Sequence, residues 1–188
     1  TFKLPQADGS SGQSLVTNGS GTLSFATVTP TIEVDHWYLN QNATGGTIPG
    51  TYWTRNLKIG TGMTVTQDAN GRWTFPSTGI WKITTHPMFR PIASDNVYFD
   101  IYITRDSFSN NYHYARGGKG NCGSSVNNRA HNGANSILID IENVSTYGIY
   151  FVAGSHSGGS YTQGGDASSW NNGTPMYTTV MFERMGDT

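Results

Sequence analysis

The stretch Asn70–Phe89, N-G-R-W-T-F-P-S-T-G-I-W-K-I-T-T-H-P-M-F, holds two short aromatic strand patterns folded about a Pro-Ser-Thr-Gly turn. Successive side chains on a pleated strand point to opposite faces, so Trp73 and Phe75 share one face before the turn, and Trp81, Ile83 and Thr85 share one after it. Each arm therefore brings bulky anchors to a core. Asn70-Gly71 is a turn dipeptide, while Pro76 and Gly79 supply the fixed and the permissive backbone of the reversal. Nothing in the stretch has the setting of a nucleophile or a general base. It reads as architecture, so function has to lie in what that architecture presents.

Outward from this stretch, strand patterns recur at Ile32–Leu39, Thr51–Ile59, Met63–Thr66, Arg72–Phe75, Ile80–Phe89, Val97–Thr104, Ser136–Val144, Gly148–Ala153 and Met176–Arg184. Gly45-Gly46, Asn70-Gly71, Asp95-Asn96 and Gly158-Gly159 punctuate them with loop chemistry, and no 12-residue window has helical apolar spacing. An all-β fold follows, and the density of strands points to a two-sheet sandwich of jelly-roll type. The 188 residues suffice for one good core. Gly accounts for 24 residues and aromatics for 12%, as expected of short strands joined by turn-rich loops.

Charge excludes several functions. Charged residues make up 12% of the chain and the net charge is −1, which gives no electrostatic footprint for nucleic acid or an anionic membrane. No apolar run approaches the roughly 20 residues that span a bilayer, so no membrane insertion is expected. The lone Cys122 has no partner for an intrachain disulfide and reads as a free thiol in a loop.

Along the strands, Val97, Phe99, Ile101 and Ile103 face one way and Tyr98, Asp100, Tyr102 and Thr104 the other; Ile137, Ile139 and Ile141 likewise oppose Leu138, Asp140 and Glu142. The last strand is apolar on both sides, with Val180 and Phe182 opposing Tyr177 and Met181, and Tyr147, Tyr150 and Val152 repeat the surplus. Such tyrosines are either half-buried at sheet rims or covered by another subunit. Tyr98, Tyr102, Tyr150, Tyr177 and Met181 are the candidates for subunit contact.

Catalytic material is thin. The five histidines, His36, His86, His113, His131 and His156, have no ligand spacing and fit no zinc motif. Asp100, Asp140 and Glu142 are carboxylates of the type a glycosidase pairs, but their alternation places them on solvated or intersubunit faces. No enzyme is expected. Binding has better material: Ser107–Gly133 and Ser155–Gly173 read as loops that carry Tyr112, His113, Tyr114, Arg116, Asn121, Arg129, Tyr161 and Trp170 among Gly, Ser and Asn. Aromatic faces stack on sugar rings and Arg and Asn supply planar hydrogen bonds, so Tyr112, Tyr114, Arg116, Arg129, Tyr161 and Trp170 form the candidate binding set. The competing role for these loops is to fill a subunit crown.

Four runs, W-T-F-P-S-T-G-I-W-K-I-T, N-V-Y-F-D-I-Y-I-T-R-D, N-S-I-L-I-D-I-E-N-V-S-T-Y-G-I-Y-F and P-M-Y-T-T-V-M-F-E-R-M-G-D, resemble in their order the globular head of complement C1q, a tumour-necrosis-factor-like jelly roll. The resemblance covers Met63–Asp187, with Phe75, Gly79, Trp81 and Tyr177 or Phe182 at the family's aromatic and glycine positions; the polar insertion Gly117–Gly133 departs from it. It implies a central hairpin at the opening stretch and a homotrimer of sandwiches. It also implies occasional structural calcium, for which Asp95, Asn96, Asp106, Asp166 and Asn171 are the loop oxygen donors, although no D-x-D-x-D-G run groups them. No other cofactor is expected.

Residues 4–25, L-P-Q-A-D-G-S-S-G-Q-S-L-V-T-N-G-S-G-T-L-S-F, are similar to a segment of fibre and spike proteins of tailed bacterial viruses, including marine ones, some of which carry such heads ending like Gly186-Asp187-Thr188. This resemblance implies a virion structural protein, assembled in the host cytoplasm: a tail fibre, spike or capsid-decorating knob. Residues 1–29 would form an extended arm that anchors to other virion proteins, flexible when alone, and residues 30–188 a trimeric head for host attachment, meeting a surface receptor or glycan. A secreted or cell-surface lectin-like carbohydrate-binding module is the alternative.

Overall fold

In a computed structural model of the chain, the described residues are 3–27, 32–91, 96–121, 131–154, 160–165 and 176–187, with the backbone alone described for Asn96, His113 and residues 117–121. Strand-forming alternation produces sixteen strands among them: β1 (Gln13–Thr17), β2 (Leu23–Thr27), β3 (Val34–Leu39), β4 (Gly46–Thr47), β5 (Trp53–Ile59), β6 (Thr64–Val65), β7 (Trp73–Thr74), β8 (Gly79–His86), β9 (Met88–Arg90), β10 (Asn96–Thr104), β11 (Tyr112–Asn121), β12 (His131–Asn132), β13 (Asn135–Ile141), β14 (Gly148–Gly154), β15 (Tyr161–Thr162) and β16 (Thr179–Gly186). The one helical element among the described residues is a 3-10 turn at Gly50–Tyr52. Residues Thr1–Thr31 and Ile32–Thr188 form two compact units.

The larger unit is built on two sheets. One has five strands in the order β13-β8-β16-β3-β5; the other follows β11-β10-β14-β7-β6, with β4 added on β14. A small third sheet, β12-β9-β15, completes it. All strand pairs are antiparallel. The inward residues of the alternating patterns, among them Trp81, Ile83, Val97, Phe99, Ile101, Ile103, Ile149, Phe151, Val180 and Phe182, are buried in one cluster. At its centre Trp73 is fully buried, edge-on to Trp37 at 4.9 Å and to Trp53 at 5.6 Å. The indole N–H groups of Trp37, Trp53 and Trp73 make no hydrogen bond among the described residues. Near-perpendicular rings set electropositive edges against π faces, which offsets part of that cost. Truncating Trp73 to alanine would cost roughly 3–5 kcal/mol.

The opening stretch is not a hairpin. Trp73 pairs with Ile149 of β14 and with Val65 of β6, whereas β8 pairs with β13 and β16 in the opposite sheet. Pro76–Gly79 is a corner that carries the chain from one layer to the other. Phe75 and Trp81 then meet in the core with ring centroids 5.5 Å apart. The corner is tied by Ser77, whose hydroxyl donates to Glu33 Oε1 at 2.7 Å and whose carbonyl accepts the Trp81 indole N–H at 3.1 Å. Gly79 has φ 123°, and a Cβ there would overlap the carbonyl of Gly186, so the position requires glycine.

Other boundaries shift for local reasons. The expected strand Ile80–Phe89 breaks at Pro87, which has no N–H to give a ladder, and Met88–Arg90 continue in the small sheet. The supposed loop Ser107–Gly133 contains β11, paired along β10 with bulges between Tyr98 and Phe99 and between Ile101 and Tyr102. A clasp ties the two sheets: Asp35, buried on β3, accepts two bonds from Arg55 on β5 at 2.9 and 3.2 Å and one from the Met63 N–H at 2.7 Å. Arg55 donates onward to the Met63 carbonyl at 2.6 Å and lies over the Trp37 ring.

In the smaller unit, the segment expected to be a flexible arm is a hairpin. Its strands β1 and β2 pair from Gln13↔Thr27 to Thr17↔Leu23. Asn18 organises the turn by accepting the N–H groups of Ser20 at 2.9 Å and Thr22 at 3.1 Å, and Gly19 and Gly21 take positive φ. Leu15 and Phe25 face each other across the pair and keep 50% and 36% of their surface exposed.

Candidate binding faces of the head

The outward residues of β10 and β14 form the first face. Tyr98 opposes Gly154, Asp100 opposes Val152, and Tyr102 opposes Tyr150. Gly154 lets the Tyr98 ring lie against the sheet, because a Cβ there would overlap that ring. Arg116, across from Asp100 on β11, caps both: its guanidinium stacks 3.7 Å from the Tyr98 centroid and grips Asp100 with Nε–Oδ1 at 2.7 Å and Nη2–Oδ2 at 2.8 Å. The Asp100 hydrogen bonds hold the Arg116 pKa above its ordinary value. Next along the sheet, Tyr102 and Tyr150 stack at 5.0 Å with 11° between planes. Burial, followed by the neighbouring Tyr102, raises the Tyr150 pKa, so its hydroxyl stays protonated. The result is a cation-and-aromatic ladder on the sheet.

Asp100 was expected on a solvated or intersubunit face; it points outward but is fully buried in the single chain, where it is the counter-ion of Arg116. Asp140 and Glu142 are exposed and belong to or follow β13 in the other sheet, so the three carboxylates do not converge.

The candidate binding residues scatter. Arg116 belongs to the ladder, while Tyr112 and Tyr114 line a separate groove of about 340 Å³ with Ile103 and Arg105 at the edge strand β11. Tyr112 sits opposite the inward Ile103 and Tyr114 at the second bulge, which turns both away from Arg116. Tyr161 pairs with Arg90 in the small sheet. Arg129 and Trp170 lie outside the described residues.

The subunit-contact candidates divide as well. Tyr98, Tyr102 and Tyr150 are half-buried on the six-stranded sheet, while Met181 is half-buried on the five-stranded one. Tyr177 lines a groove of about 300 Å³ with His86, Met88 and Met176. The outer face of the five-stranded sheet mixes aliphatic with polar and charged residues. One row runs Leu138, Lys82, Glu183, Val34, Ile59 and the next Ser136, Thr84, Met181, His36, Leu57. In the single chain Leu57, Ile59 and Leu138 remain 50%, 47% and 60% exposed.

His36 on this face accepts the Asn56 side-chain N–H at its Nδ1, 3.0 Å away. Burial is the main cause that lowers its pKa, the nearby His86 adds to it, and Asp35 opposes it. Among the described residues no cluster of His, Cys, Asp and Glu could hold a metal ion. Of the calcium candidates, Asp106 spends both oxygens on Thr104 and Asn110. Asp95, Asp166 and Asn171 are outside the described residues, as are Cys122 and His156, and the side chain of Asn96 is too.

Sequence reasoning missed Arg72 and Phe108, which also lie on the outer face of the six-stranded sheet with Tyr150. Alternation about the buried Trp73 was the available signal for Arg72. Phe108 had none.

No protein-family model matches the sequence, and no curated protein matches it. Among solved structures, the Eiger tumour necrosis factor of S. frugiperda aligns with a TM-score of 0.59 at 9% identity, covering 84% of this chain and 95% of that one. Murine APRIL at pH 5.0 aligns with a TM-score of 0.55 at 11% identity, over 82% and 99% of the two chains. The globular domain of zebrafish complement 1qA aligns at 0.47 with 8% identity, over 85% and 100%. The order of the strands, the closed aromatic core and the first two of these alignments agree: the chain has the two-sheet jelly roll of tumour-necrosis-factor-like proteins.

Proposed function

We propose that the chain is a virion structural protein of a tailed bacterial virus, whose head is a non-catalytic homotrimeric binding module. It would be a fibre, spike or capsid-decorating knob, with the N-terminal unit joined to other virion proteins and the head presented to host-surface glycans. The observation that carries the trimer is the five-stranded outer face. Leu57 and Ile59 beside half-buried Val34 and Met181 toward one edge, and Leu138 at the other edge beyond the Lys82–Glu183 ion pair, are apolar side chains that a single sandwich leaves open. The virion context is supported by the segment Leu4–Phe25. A ladder of aromatic rings and guanidinium on a rigid sheet supports binding over turnover, and three copies on one body would multiply weak contacts into avidity.

Light scattering of the intact protein tests the assembly: three chains of 20.4 kDa are expected. A monomer in dilute solution overturns it. Deleting residues 1–29 should leave the head assembled yet absent from purified particles, and recovery of the truncated protein on particles would refute the anchoring role.

A further inference from the structure

Beside the tyrosine pair, Thr47, Asn70, Arg72, Phe108, Asn111 and Tyr150 line an open pocket of about 130 Å³. Its construction is specific. Ser107 and Phe108 both take left-handed backbone, with φ 57° and 65°, a conformation that non-glycine residues adopt at a cost of roughly 1–2 kcal/mol each. The loop compensates with a dense set of bonds. The Phe108 N–H donates to Thr104 Oγ1 at 2.9 Å, Ser107 donates through its N–H to the Thr146 carbonyl at 2.9 Å and through its hydroxyl to that of Ser145 at 3.0 Å, and Asp106 accepts Thr104 and Asn110. Gly148 completes the seat, since a Cβ there would overlap the Phe108 ring. The outcome is an aromatic ring laid flat on the sheet, with the Arg72 guanidinium 4.8 Å from its centroid.

Unlike Arg55 and Arg116, Arg72 makes no ion pair with a carboxylate among the described residues. Asp68, which accepts Thr66, Asn70 and Gly71 in its own turn, and Asp106, which closes the Phe108 loop, are kept ionised by these neutral donors but form no direct ion pair with Arg72. A cation in no direct ion pair among the described residues, two aromatic rings and a rim of amides and hydroxyls therefore converge on one small space. A guanidinium fork matches a carboxylate, flat rings accept the C–H face of a pyranose, and Asn and Tyr groups bond ring hydroxyls.

We propose that this pocket binds the carboxylate-bearing residue of an acidic surface polysaccharide, a uronic or sialic-type sugar, with Arg72, seated on Phe108, on the carboxylate and Tyr150 against the sugar ring. This rests on the head being a glycan reader, as proposed above. The charge-assisted bonds predict that Arg72→Gln weakens acidic-sugar binding roughly ten- to a hundredfold, and that added salt weakens the unmodified protein.

The test uses the intact protein on an array of acidic and neutral bacterial polysaccharides, followed by titration with glucuronate, N-acetylneuraminate, glucose and acetate. Expected are a preference for the acidic glycans, weak competition by acetate, and selective loss in Arg72→Gln at an unchanged melting temperature. Gly148→Ala, which displaces the Phe108 ring, should reduce the same binding with Arg72 intact. Acidic-glycan binding that survives Arg72→Gln, acetate competing as well as glucuronate, or binding to neutral glycans alone overturns the pocket assignment and leaves the glycan reader standing. Binding to no glycan overturns both.

Discussion

Arg116 carries a sharp prediction, because its surroundings give it a structural duty in addition to the ligand contact that its sequence context suggested. Asp100 is fully buried, and Arg116 is its bidentate cation. Removing one partner of a buried ion pair costs roughly 3–5 kcal/mol. Here the Arg116 side chain is 47% exposed, so water reaches Asp100 once it is gone, and the loss falls to about 2–3 kcal/mol. Uncovering the Tyr98 ring adds about 0.5–1 kcal/mol. A total near 3 kcal/mol, at about 2–4 °C per kcal/mol for a domain of this size, lowers Tm by roughly 6–12 °C in Arg116→Ala. Arg116→Lys keeps the charge without the fork and should recover part of the loss. Asp100→Asn should cost less than Arg116→Ala, and the double variant less than the sum of the singles. The assay is thermal denaturation followed by near-ultraviolet circular dichroism at fixed protein concentration. An Arg116→Ala protein that melts within about 2 °C of the parent refutes the reasoning.

Asp35→Ala opens the clasp between the sheets: a loss of about 3 kcal/mol is expected in urea unfolding, with the Met63 amide losing its protection from hydrogen exchange. A Met63 amide as protected as before would show that Asp35 does not hold the sheets. The lowered His36 pKa gives a pH dependence with a definite sign. Between the folded value and 6.5 the unfolded chain binds the extra proton, so stability contributed by His36 falls as pH drops below 6.5 through the folded pKa. Urea midpoints across that window should slope less in His36→Gln, and an unchanged slope would remove His36 as the cause.

The core was legible because it depends on period alone. Trp73 and Phe75, Trp81 and Ile83, and the run from Val97 to Ile103 are buried as their alternation dictates. Alternation does not say which layer a strand joins. The subunit-contact candidates Tyr98 and Tyr150, on one sheet, and Met181, on the other, were therefore not told apart, and the corner at Pro76–Gly79 read as a hairpin. Strand β11 escaped because Y-H-Y-A-R-G-G-K-G-N has the composition of a loop, and its extended form comes from pairing with β10. The Arg72 pocket depends on left-handed backbone at Ser107 and Phe108, residues that give no sign of it in sequence.

Strand β16 lies between β8 and β3, in the middle of its sheet, and is translated after both. Until residues 179–186 leave the ribosome, β3 and β8 flank an open slot, and the site for Phe182 beside Trp73 stays vacant. Two unpaired borders invite cross-linking between nascent chains. Closing such a distant pairing is slow, on the order of milliseconds to seconds. Maturation of the head thus waits on the synthesis of β16, and a chaperone that shields the slot would govern yield more than any single core contact.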